Sequence, residues 1–110
     1  MSGVKILASE IRKFHIYTPV SLRYRRRLGI VSRAASKLAN RLGLDVEVTK
    51  THNVLSLYVF YLSGDEEEVP LYCDLGKDWD EQRIYDSMRS VVYALSLLPE
   101  YGDLQPARGR

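Results

Sequence analysis

Between Thr18 and Gly43, in the stretch TPVSLRYRRRLGIVSRAASKLANRLG, the apolar residues Tyr24, Leu28, Val31, Ala35, Leu38 and Leu42 recur at spacings of 4, 3, 4, 3 and 4. On a helix turning about 100° per residue they form one continuous stripe, and no strand can use that period. Thr18 is the expected N-cap, Pro19 suits the first helical position, where a missing N–H costs nothing, and Gly43 suits a left-handed C-cap. A helix over about 19–42 follows. A stripe of that length must be covered, so the chain has to supply a surface for it.

The following residues supply that surface as a sheet. DVEVTKT alternates Val46 and Val48 with polar neighbours, HN offers turn residues, and VLSLYVFYL is β-branched and aromatic throughout. Two antiparallel strands joined by a tight turn are expected. SGDEEE then leads into a third strand, VPLYCDL, in which Pro70 favours an edge or a strand start. A second helix is expected from an Asp78 or Asp80 N-cap to Pro99, with Glu81 in its first turn and Ile84, Met88, Val91, Leu95 and Leu98 as its stripe. Ahead of the first helix, IRKFHIY reads as a short extra strand, with an arm or a helical extension as the alternatives. The expected fold is α+β, in the order α-β-β-β-α. It is a three-stranded antiparallel meander with two helices on one face and a short extra N-terminal strand.

A chain of 110 residues, 45% hydrophobic, is long enough for one modest core and too short for two. Residues 1–98 are taken as one domain and 99–110 as a loose tail. The single cysteine, Cys73, excludes an intrachain disulfide, and Lys5, Glu10 and Arg12 interrupt what would be the apolar stretch of a signal peptide. A reducing, cytoplasmic setting is expected. The longest apolar run, VLSLYVFYL, falls short of the ~20 residues of a membrane span, so no membrane partner is expected.

Net charge is only +2, but it is unevenly placed. Residues 1–44 hold ten Lys or Arg and one acid, Glu10, for a net of +9; residues 45–110 hold six against thirteen, for a net of −7. With the apolar stripe turned inward, Arg23, Arg26, Arg27, Arg33, Lys37 and Arg41 gather on the opposite side of the first helix. Like charges on a helix repel by a few tenths of a kcal/mol per pair. No acid relieves them between Ile11 and Leu44, and guanidiniums match phosphates in both charge and bidentate geometry. These six residues are the candidate nucleic-acid contacts, with RNA or DNA backbone as the partner, and Arg25, Lys50 and His52 stand in a second tier. A merely solvated helix face, or pairing of the row with the acidic half of the chain, is the competing expectation.

A second candidate surface is the sheet's outer side. If Leu55, Leu57, Val59 and Tyr61 face the helices, Ser56, Tyr58 and Phe60 face out, beside Tyr72. Outward aromatics suit stacking of unpaired bases, a homodimer or other complex partner, or partial cover by the N-terminal segment, and a dimer or covered face is favoured over stacking. Chemistry has less support. His15 and His52 neighbour no cysteine, and LGKDWD lacks the leading glycine and the Ser/Thr of a phosphate loop. The acids Asp74, Asp78, Asp80 and Glu81 match no metal pattern and suit capping. No catalytic residue, metal or cofactor is assigned. The expected function is a small non-enzymatic nucleic-acid-binding protein, with a dimeric assembly subunit as the alternative.

Overall fold

The structure, a computed structural model, describes residues 12–64 and 67–107. Expectations for residues 1–11, for Asp65 and Glu66 of the acidic connection and for residues 108–110 lie outside these. The described chain is α+β, with two helices on one face of a four-stranded sheet. Its elements are β1 (Lys13–Pro19), α1 (Arg25–Leu42), β2 (Asp45–Thr51), β3 (Tyr58–Leu62), β4 (Glu68–Cys73) and α2 (Glu81–Ser96), followed by 3₁₀ turns over Pro99–Ala107.

The extra N-terminal strand exists, and it lies in the middle of the sheet. Strand order is β2-β1-β3-β4, with β1 parallel to β2 and antiparallel to β3. The expected meander is therefore corrected: β2 and β3 do not pair, because β1 runs between them. β1 alternates without a fault, turning Phe14, Ile16 and Thr18 inward, each at most 1% exposed. β2 is half polar and suits an edge. His52-Asn53 also lacks the glycine that a tight two-residue hairpin favours for its positive φ values. Parallel pairing of β1 and β2 requires a crossover, and α1 is that crossover.

β1 also delays the helix. Thr18 and Pro19 still pair with Lys50 and Thr51, so the expected Thr18 cap and Pro19 start give way to a 3₁₀ turn at Leu22–Tyr24. Ser21 Oγ caps that turn, and α1 follows from Arg25. The far end follows expectation. Gly43 sits at φ 72°, its N–H donating to Asn40 O at 3.3 Å while Leu44 N–H donates to Ala39 O at 2.9 Å. This is the paired left-handed stop that satisfies the last carbonyls. A Cβ at Gly43 would meet nothing within 4 Å, so Gly43→Ala should cost only the backbone term, about 1 kcal/mol. A lowered urea midpoint with unchanged slope checks it.

α1 and α2 pack side by side over the sheet. The buried arc of α1 comprises Val31, Ala34, Ala35, Leu38 and Ala39, and that of α2 comprises Ile84, Tyr85, Met88, Val92 and Ser96. Asp80 caps α2 by accepting from Arg83 N–H at 2.8 Å. In place of the loose tail expected after Pro99, the 3₁₀ turns return to the core. Leu104 is fully buried, and the Tyr101 ring meets Tyr61 edge-on at 6.3 Å.

Candidate nucleic-acid interface

The basic residues of α1 do not share one environment. Positions 27, 34 and 41 fall on one line of the helix at about 100° per residue, and Ala34 on that line is fully buried. The line therefore faces α2 and the segment leading into it, which is the acidic part of the chain. Arg27 is locked there. Its Nε and one Nη bond both oxygens of Asp74 at 2.9 and 2.6 Å, while the other Nη donates to Trp79 O at 2.9 Å. Asp74 is 5% exposed and also accepts from Tyr72 Oη. Desolvation and the Asp74 hydrogen bond together push the Tyr72 phenol well above its ordinary range. Asp74 also raises the Arg27 pKa, keeping the guanidinium charged.

Further along the helix the cations touch α2 more lightly. Arg33 pairs with Glu81 at 3.0 Å, yet its side chain stays 62% exposed. Lys37 lies 4.8 Å from the Tyr85 ring centre and 3.4 Å from Gln82 Oε1, and Arg41 donates to Tyr85 Oη at 2.7 Å. Of the six first-tier residues, only Arg23 and Arg26 stand clear of α2 and its approach. Arg23 leans on the ring of Tyr24.

A different grouping forms at the C-terminal ends of β1 and β2. Tyr24 Oη donates to Leu55 O at 3.1 Å, tying the start of α1 to the β2–β3 connection. Arg25 and Lys50 line one small pocket with residues 18–22, Tyr24 and Leu28. Arg23, Arg25, Arg26, Lys50 and His52 are all exposed at this end. Among the described residues no carboxylate lies within ion-pair reach of any of the four Arg and Lys side chains. The first turn of α1 contains no acid, so the positive end of the helix dipole adds to the same potential. Second-tier Arg25 and Lys50 thus join Arg23 and Arg26, while Arg27 belongs to the internal network.

The outer face of the sheet is aromatic, as expected for Tyr58 and Phe60. Tyr72 is a correction: it is 6% exposed and faces the helices. Alternation from Glu68 and Pro70 would put it outside, but an irregularity in pairing between Val59 and Phe60 inserts Leu71 as an extra residue and turns Tyr72 inward beside Val59. In its stead β1 contributes His15 and Tyr17, which pair across the sheet with Phe60 and Tyr58. His15 and Tyr17 stack at 4.3 Å, and Tyr17 meets Phe60 edge-on at 5.6 Å. Tyr17 donates to Glu68, and chiefly that bond pushes its phenol up to about 12. The period-2 alternation of KFHIYTP was the available signal for these two residues.

The acids considered for a metal are otherwise engaged: Asp74 with Arg27, Asp78 at its periphery 3.8 Å from the same guanidinium, Asp80 as a cap and Glu81 with Arg33. Among the described residues no group of three or more His, Cys, Asp or Glu stands together as a metal site, and no helix is long and apolar enough to cross a membrane. No family model, curated protein or solved structure matches the chain. Fold and surface define a small α+β protein with one bare basic end and one aromatic sheet face.

Proposed function

We propose that this is a small, non-enzymatic nucleic-acid-binding protein of the cytoplasm, with RNA or structured nucleic acid favoured over a chosen DNA sequence. Phosphates are held at the basic end by Arg23, Arg25, Arg26 and Lys50. The observation that carries this reading is the first turn of α1, which contains no acid and where Arg25 and Arg26 face solvent without an ion-pair partner among the described residues. That placement runs against the helix dipole and incurs like-charge repulsion, so it costs stability unless a polyanion completes it. Arg33, Lys37 and Arg41 extend the surface along α1 and contribute less, because each already holds a side chain of α2.

The test is a titration of single-stranded and duplex RNA and DNA at increasing salt. Four neutralised phosphates give a log–log slope of roughly −2.8 on single strands to −3.6 on duplex, which weakens binding about 50- to 150-fold between 50 and 200 mM salt. A flat response, or no binding at low salt, rejects the proposal. The outer aromatic face supports a second reading, an assembly subunit that pairs through the sheet, because partly exposed Tyr17, Tyr58 and Phe60 sit together on its central strands.

A further inference from the structure

A sheet covered on one face ordinarily alternates apolar residues inward with polar residues outward. The central strands here depart from that pattern, placing His15, Tyr17, Tyr58 and Phe60 on the open side. Among the described residues no helix covers them, and the rings are mutually braced by the stacked and edge-on contacts already described. An open groove lined by Asn53, Val54, Leu55, Tyr58 and Phe60 joins these rings to the β2–β3 connection. The same connection begins next to Lys50, carries His52 and accepts the Tyr24 hydroxyl from the start of α1. A backbone held at the basic end therefore has a continuous path onto the ring surface.

We propose that the outer face of the sheet is a base-stacking platform for single-stranded nucleic acid, with Tyr17, Tyr58 and Phe60 as the stacking rings. This rests on the phosphate-binding role of the basic end and names the form of nucleic acid it serves. Every base offers a π-face, so aromatic rings beside a cationic track bind single strands with little regard to sequence, while a duplex keeps its bases stacked and unavailable. The face carries charged groups as well: Lys13 is paired with Glu47, and Glu68 accepts from Tyr17 and lies 4.0 Å from His15 Nδ1. Both carboxylates belong to the edge strands β2 and β4 and already have donors, so they flank the platform without opposing the cationic track.

The experiment compares the full chain's affinity for a 12-nucleotide single-stranded RNA, the same strand made abasic along its length, and the matching duplex. Phe60→Leu and Tyr17→Leu are the variants, and the ring protons of Tyr58 and Phe60 are followed by NMR. Stacking predicts that the base-bearing strand binds tightest, that each variant loses about tenfold on it, and that neither variant changes affinity for the abasic strand. It further predicts that the ring protons shift only with bases present. Both rings are outside the core, and an unchanged melting curve confirms that the variants fold. Equal affinity for abasic and base-bearing strands overturns the platform and leaves the basic end standing. Failure of every strand to bind overturns the basic end itself. Light scattering that shows a dimer dissolved by Phe60→Leu, with single-strand affinity unchanged, assigns the face to a second copy and also overturns the platform.

Discussion

Arg27→Met should destabilise the fold by about 3 kcal/mol, the lower end of the range for breaking a buried ion pair by removing one partner. The loss arises at Asp74. With its side chain 4% exposed, Asp74 would keep Tyr72 as a donor and lose both guanidinium bonds, leaving a carboxylate with neither water nor a cation. Trp79 O would lose its donor as well. The Arg27 side chain reaches solvent at 18%, which places the effect at the lower end. For a chain of this size the melting temperature should fall by roughly 12 °C or more. Asp74→Asn should cost less, since the amide still accepts from Tyr72 and the freed guanidinium can turn to water. Combining Arg27→Met with Asp74→Leu should recover more than 1 kcal/mol relative to the sum of the single changes. A contrary effect opposes the loss: removing one arginine from the first turn relieves repulsion with Arg23 and Arg26, by a few tenths of a kcal/mol per pair. If Arg27→Met proves neutral in thermal and urea unfolding, that repulsion has won and Arg27 is not the internal anchor. Below the melting transition the variant should bind nucleic acid within about twofold of the native chain, because Arg27 spends its hydrogen bonds inside.

Local periodicity carried most of the helical structure, and non-local partner choice carried the rest. The α1 stripe, the Gly43 stop and the Asp80 cap each depend on residues within a few positions of one another, and each is visible in the sequence. The end of α2 is less so, since it stops at Ser96, three residues ahead of the expected break at Pro99. Strand order depends on which strand wins the centre, a competition among segments tens of residues apart. The deciding cue was the unbroken alternation of Lys13–Pro19 against the half-polar DVEVTKT. The basic row shows the same division. Its angular position follows from the helix period, but the partner of Arg27 lies 47 residues away and no period points to it. The two adjacent alanines at 34 and 35, with Ala39 beyond, were the available warning: small residues on the flank of an apolar stripe let a neighbouring helix approach, and the arginines on that flank go with them. Tyr72 was misplaced by a single inserted residue, since in a strand one extra position turns every later side chain over. Leu104 shows that a short polar segment is held when one leucine finds a vacant place in the core.

Reversing charge at the bare end should separate binding from stability in opposite directions. In the triple variant Arg25→Glu, Arg26→Glu, Lys50→Glu, three of the four proposed phosphate contacts become repulsive, so affinity at low salt should drop by at least about 100-fold and the salt slope should flatten towards zero. The same change puts two carboxylates into the first turn of α1, where the helix dipole favours them by about 0.3–1 kcal/mol each at low ionic strength. They also stand near Arg23 and replace a like-charged run. The variant should therefore melt at or above the native temperature while failing to bind. The comparison variant, Arg33→Gln, Lys37→Gln, Arg41→Gln, is read beside the milder Arg25→Gln, Arg26→Gln, Lys50→Gln, which removes the same number of positive charges. The comparison variant neutralises the part of α1 that already touches α2. It should lose a few contacts to Glu81, Gln82 and Tyr85, soften stability slightly and keep affinity within several-fold. A gain in stability accompanied by a loss of binding is the signature of a residue retained for its partner at the fold's expense. If the two glutamine variants weaken binding equally, the whole face of α1 is the contact surface, and the division drawn by α2 does not govern function. If the first triple variant instead melts well below the native protein, Arg25, Arg26 and Lys50 hold the fold in some way, and their exposure at this end is not that of a ligand site.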